Sequence, residues 1–263
     1  MESMFSRLAE VLAASEIGPK VALTAALAAD WQAGKLDYRD ASPAELMCGR
    51  PAKPALLPHK DVPNRSPSTP EGRARLLHAI VHIEFSAINL ALDHAARFRG
   101  LPQAYYADWI GVAAEEAEHF MLLRDRLQSL GYDYGDFPAH AGLWDMAEKT
   151  ADDVLARMAL VPRLLEARGL DATPPIQMKL EQVGDHQSAR VLDIILRDEI
   201  THVGLGDRWF RYLCAERGIE PESTYLDLLT RYQAPWPQGK LNESARLAAG
   251  FSAGELAALA KKR

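Results

Sequence analysis

Apolar residues along this chain recur at steps of three and four, the spacing of one helical face, and no stretch shows the alternation of a half-buried strand. Four long stretches carry the pattern. The first, about 70–99, sets Leu77, Val81, Ile88, Leu92 and Ala95 in one stripe, and the second, about 103–130, does so with Trp109, Val112, Phe120, Leu123, Leu127 and Leu130. Gly100-Leu101-Pro102 separates these two, and Gly131 ends the second. The third stretch, about 142–168, presents Val154, Leu155, Met158, Val161 and Leu165, with a kink expected at Pro162. Asp171-Ala172-Thr173-Pro174-Pro175 opens another helical piece that breaks at Gly184-Asp185, after which the fourth stretch carries Leu192, Ile195, Trp209 and Leu213. The expectation is an all-α bundle built from two similar helical hairpins, 69–131 and 142–217.

The flanks read differently. Residues 1–49 hold two short amphipathic helices separated by Gly18-Pro19. Residues 50–70 contain six prolines (Pro51, Pro54, Pro58, Pro63, Pro67 and Pro70), which exclude a continuous helix and a central strand and favour an extended strap. From Arg65 the strap runs into a helix start, with Thr69 as cap, Pro70 at the first helical position and Glu71 at the positive end of the helix dipole. The bundle proper then covers 71–217. Residues 218–263 form a tail of short helices packed on it, closed by Lys261, Lys262 and Arg263 at the negative end of the last helix.

Composition narrows the classes of function. A formal net charge of −6 speaks against a broad phosphate-binding surface. The two cysteines, Cys48 and Cys214, make neither a C-x-x-C pair nor a disulfide framework, so no rubredoxin-type iron relay is expected and a cytoplasmic location is. No basic start leads into an apolar run at the N-terminus, and no stretch approaches about 18 uncharged apolar residues, so no membrane span is expected.

The chemistry lies where the stripes are interrupted. Glu84 fills the gap between Val81 and Ile88. Glu116 and His119 fall in the register of the second stripe, and Glu199 and His202 in that of the fourth. Both pairs are Glu-x-x-His, which puts a carboxylate and an imidazole one turn apart on the same helical face. Each has a glutamate upstream at nearly equal spacing: Glu84 lies 32 residues before Glu116, and Glu166 lies 33 before Glu199. Carboxylates in an apolar stripe are costly unless a cation sits among them. Four glutamates balance two divalent ions, and two neutral imidazoles complete a dinuclear ligand set of the ferritin-like kind. From Glu84 to its turn is about 25 Å of helix and from the turn to Glu116 about 21 Å, so the two return to similar height. The second hairpin fits only if the third helix runs on past Gly169 or residues 170–184 form a separate segment. Glu148 is therefore kept as the alternative to Glu166.

His78-Ala-Ile-Val-His-Ile-Glu84-Phe, Glu115-Glu-Ala-Glu-His119-Phe, Glu166-Ala-Arg-Gly-Leu-Asp171 and Arg197-Asp-Glu-Ile-Thr-His202-Val resemble the ferritin-like superfamily and, more narrowly, its domain-of-unknown-function family 455, over roughly residues 50–250. The resemblance implies a ferritin-like four-helix bundle with Glu84, Glu116, His119, Glu166, Glu199 and His202 ligating two iron ions, manganese or a mixed pair being the alternatives. It implies an oxygen-activating oxidase or hydroxylase acting on a small molecule. Two further readings stay open: a ferroxidase or peroxide-scavenging protein, and a non-catalytic, metal-stabilised interaction module. A tRNA substrate ranks below a small molecule because the chain is acidic, and a homodimer is compatible with the pattern. His78 and His82, four residues apart, are expected in supporting or surface roles, and Tyr105, Tyr106, Trp109 and Trp209 in the core.

Overall fold

The computed structural model describes residues 2–39, 45–63 and 66–261. Arg65, at the start of the expected helix-start sequence, and Lys262 and Arg263, expected to complement the last helix, lie outside the described residues. The fold is all-α: among the described residues the only strands are β1 (Glu2–Ser3) and β2 (Leu36–Asp37), two residues each, paired in parallel. The chain forms two compact units, Met1–Trp144 and Asp145–Arg263.

The first unit contains α1 (Met4–Ala13), α2 (Ile17–Gln32), α3 (Pro70–Arg97) and α4 (Gln103–Ser129). The helix start read from sequence forms as expected. Thr69 Oγ1 accepts from the Gly72 amide at 3.0 Å, Pro70 opens α3, and Glu71 pairs with Arg75 at 2.6 Å. Gly72 is required by the strap: a Cβ there would lie 1.8 Å from the Ser66 carbonyl oxygen. The strap also pairs with the loop after α4, where the Leu57 amide donates to the Ala139 carbonyl at 2.8 Å. At the other end of α3, carbonyls that have outrun their helical donors are taken up by α4 side chains. Tyr105 Oη donates to the His94 carbonyl and Tyr106 Oη to the Phe98 carbonyl, each at 3.2 Å. The stripe Leu77, Val81, Glu84, Ile88, Leu92 and Ala95 is buried throughout. By length and composition α3 would pass as a membrane span, but 67% of its apolar window is buried inside the fold.

In the third stretch the chain departs from one kinked helix over 142–168. It breaks after α5 (Gly142–Lys149), where Thr150 Oγ1 turns back to the Met146 carbonyl at 2.8 Å and the buried Arg157 guanidinium donates to the Ala147 carbonyl. Asp153 then caps α6 (Val154–Leu160) by accepting from the Leu155 amide at 3.0 Å. At Pro162 the helix widens into a π turn (Val161–Glu166) and continues as α7 (Ala167–Gln182). A residue without an N–H is accommodated by the wider turn.

The run Thr173-Pro174-Pro175, expected to open a helix, lies inside α7. Pro174 leaves the Leu170 carbonyl without its helical donor, and Asn242 Nδ2 supplies one at 3.1 Å. Asp185 caps α8 (His186–Glu216) through the Ser188 amide at 3.1 Å. Three short helices, α9 (Pro221–Arg231), α10 (Glu243–Ala248) and α11 (Ala253–Lys261), complete the second unit.

One buried cation belongs to the scaffold of the first unit. Lys20 of α2 is fully buried and donates to the Leu12 carbonyl at 2.6 Å and Asn89 Oδ1 at 2.7 Å. Burial lowers its pKa to about 8 from 10.5, and the nearby Cys48 opposes the shift. A lowered ammonium pKa means that the unfolded chain binds more protons between those two values, so stability rises with pH across that window. Relative to Lys20→Met, the wild-type protein should gain up to about 3 kcal/mol between pH 8 and pH 10.5, measured by urea unfolding. A flat difference across that range would place the charge elsewhere.

Candidate metal centre

In the first unit α3 and α4 bring three donors to one point. Glu84 is 3% exposed, Glu116 1% and His119 2%. His119 Nδ1 lies 3.5 Å from Glu84 Oε2 and 3.5 Å from Glu116 Oε2. Two donors on one ion with bonds of about 2.1 Å are themselves about 3.0–3.4 Å apart, so the spacing suits shared coordination. Burial by itself would lower the His119 pKa; the Glu116 and Glu84 carboxylates reverse that and push it up to about 11. The imidazole thus carries a proton at neutral pH and supplies the positive charge those carboxylates demand.

The wall beside these donors is aromatic. Phe85 and Phe120, each next in sequence to a member of the cluster, meet edge to face at 5.5 Å, and Tyr134 contacts both. His78 and His82 face the loop after α4. His78 accepts from the Gly135 amide at 2.9 Å and stacks on Tyr134; His82 lies 2.9 Å from Tyr134 Oη and 3.2 Å from the His140 carbonyl. Burial holds His82 down at about 4, so it is neutral at ordinary pH. Tyr105, Tyr106 and Trp109 are core residues of the same unit.

In the second unit Glu199 and His202 sit one turn apart on α8, with His202 Nδ1 3.8 Å from Glu199 Oε1 and side-chain exposures of 1% and 13% for His202 and Glu199. Glu166 ends the π turn and is half-buried, whereas Glu148 is on the exposed side of α5. The dimensions of this hairpin remove the difficulty met in the sequence. Because α7 runs to Gln182, Glu166 stands about 25 Å of helix before the turn at 183–185 and Glu199 about 21 Å after it, the same figures as for Glu84 and Glu116. Glu116 and His119 in the first unit, and Glu199 and His202 in the second, are among the Glu and His side chains that could hold a metal ion.

Sequence reading passed over the buried arginines of the second unit. Arg163 and Arg246 are both 0% exposed. The first had a visible signal, a lone charge inside Leu160-Val161-Pro162-Arg163-Leu164-Leu165; Arg246 had none.

The chain matches the model of the family described as "Protein of unknown function (DUF455)" over residues 13–257. It is 49% identical over 227 residues to an "Uncharacterized protein" of Haemophilus influenzae, an alignment covering 84% of this chain and 79% of that relative. No solved structure matches. The family match runs along nearly the whole chain and the relative is 49% identical over most of it: the chain belongs to the DUF455 family.

Proposed function

We propose that this is a ferritin-like dinuclear metal protein whose two hairpins, within residues 71–217, form a four-helix bundle around a pair of iron ions, and that it oxidises a small organic molecule with dioxygen. The observation that carries the reading is the repeated hairpin. Each has a glutamate about 25 Å before its turn and a Glu-x-x-His about 21 Å after it. A helical protein has no structural need for two such sets of acids at matched heights on its apolar stripes.

Within this reading Glu84, Glu116, His119, Glu166, Glu199 and His202 hold the ions. Reduced iron would supply the electrons and open coordination positions that dioxygen chemistry requires. The chain's own part is to hold the ligands. Glu84 and Glu116 fix the orientation of His119, and the Phe85, Phe120 and Tyr134 wall keeps water from their carboxylates. The His119 proton must leave before its nitrogen can become a ligand. The reading is favoured over a storage role by the strap and the tail of short helices, which can shape a substrate pocket that a storage shell does not need.

The first measurement is metal content. Protein purified without added metal should carry about two iron or manganese ions per chain. Glu116→Ala should lose at least one of them while keeping its far-ultraviolet helix signal. A wild-type chain that takes up no transition metal sinks the proposal. Once loaded with ferrous iron it should consume oxygen; bound metal without oxygen uptake would instead make it a metal-stabilised binding module.

A second expectation follows from the raised His119 pKa. Metal binding should release a proton, visible as buffer-dependent heat in calorimetry. Through this group affinity should rise about tenfold per pH unit towards pH 11. In the metal-free protein the sign is opposite. The stability from the His119–carboxylate contacts is fully present below pH 6.5 and lost as pH rises through about 11. The stability difference from His119→Gln should therefore shrink on alkalisation.

A further inference from the structure

The half-buried Glu166 ends a π turn, and buried charge grips the chain on either side of it. Before it stands Arg163, within the turn. Its Nε donates to Asp207 Oδ1 at 2.7 Å and its Nη2 to Glu255 Oε1 at 2.5 Å. The guanidinium lies over the rings of Tyr225, Phe251 and Phe210 at 4.1, 4.4 and 5.0 Å. Arg211 closes the ring of charges by donating to Asp207 Oδ2 at 2.8 Å and Glu255 Oε2 at 2.9 Å. After Glu166 stands a second grip. Arg246 of α10 donates to both oxygens of Asp171, at 2.9 and 2.7 Å, and to the Ala167 carbonyl at 3.2 Å. Both grips come from the C-terminal segment, one through α10 and the other through α11.

Two physical arguments give this arrangement a purpose beyond stability. Buried ion pairs are poor stabilisers compared with apolar residues of the same volume, but they are exacting about geometry. A π turn is also a rare conformation whose one extra residue rotates everything after it by about 100° relative to an α-helix. The turn is pressed from the other side by α8, where a Cβ on Gly206 would come within 2.7 Å of Pro162 Cβ.

We propose that residues 241–261 act as a clasp that holds the π turn in the register presenting Glu166 as a metal ligand, with Arg163, Glu255 and Arg246 as positioning residues. The inference rests on the dinuclear reading above. Released from the clasp, the turn relaxes toward an α-helix, Glu166 rotates away from the site, and one ion loses a carboxylate.

Cobalt(II) provides the test, read by calorimetric titration and by its visible absorption bands. Glu255→Gln and Arg211→Met, the latter opening the ring of charges from its half-exposed side, should each retain helix content and cooperative unfolding. Cobalt affinity at one of two sites should fall at least tenfold, and the band shape should move towards that of Glu166→Gln. In combination with Glu166→Gln neither change should weaken binding further, because both act through the same carboxylate. The clasp is overturned if these variants lose only thermal stability while cobalt stoichiometry, affinity and spectrum stay as in wild type, or if their effects simply add to that of Glu166→Gln. It is equally overturned if Glu166→Gln itself leaves cobalt binding untouched. A wild-type protein that binds no cobalt, iron or manganese removes the dinuclear reading and the clasp with it. Normal wild-type binding with unaltered clasp variants removes the clasp alone.

Discussion

A carboxylate withdrawn from water must be neutralised, and the interior of α3 and α4 is organised by that requirement. Glu84 and Glu116 are buried as thoroughly as the leucines beside them, with His119 set equidistant from both. A core of Leu, Ile and Phe at these positions would satisfy the helix stripes better and at no electrostatic cost. The Glu116 and Glu84 carboxylates raise the pKa of His119, and a protonated imidazole offsets part of their charge. On the proposed reading a divalent cation would meet the same demand with more charge and with directional bonds to its donors. A proton and a metal ion would then compete for His119, and that competition would couple the stability of the first unit to pH and to metal supply.

The scaffold around the charged cluster is built to leave it little freedom. Tyr105 and Tyr106 fasten the ends of α3 and α4 together, the strap crosses to pair with the loop after α4, and Tyr134 reaches from that loop to both His82 and the Phe85–Phe120 wall. Each of these bonds contributes on the order of 1 kcal/mol. Their larger effect is to fix the rotation of α3 about its own axis, which decides where Glu84 stands.

Much of this was legible in the sequence because it depends on local chemistry. The stripe that skips a position at Glu84, the Thr69-Pro70-Glu71 helix start and the two Glu-x-x-His pairs are each specified within a few residues, and the structure realises each as read. What escaped depends on partners distant in sequence. The prolines 174 and 175 read as a helix boundary because a helix interior cannot ordinarily satisfy the carbonyl that Pro174 frees. Asn242, about 70 residues later, satisfies it. The break at 150–153 needed Thr150 and Asp153 to be recognised as a stop and a cap, and the apolar stripe ran through them without a mark. The π turn was beyond pattern reading altogether, since Pro162 is compatible with a kink as well as with a widened turn.

Those misreadings share a location, and it bears on how the second hairpin differs from the first. In the first, Glu84 sits mid-helix in a regular α-helix and needs only the helix to place it. In the second, Glu166 ends a deformed turn, an internal proline pair comes after it, and buried ion pairs tie the chain on both sides of it to the C-terminal segment, through Arg163 with Glu255 and through Arg246 with Asp171. On the proposed dinuclear reading the two glutamates would hold corresponding places, yet only the second is set by a deformed turn and by buried ion pairs. A regular helix gives a carboxylate one position. A π turn under external restraint gives it a position set by the segment that restrains it. On that reading, Glu84 would be the member of the pair placed by its helix alone, and Glu166 the one placed by the clasp of short helices.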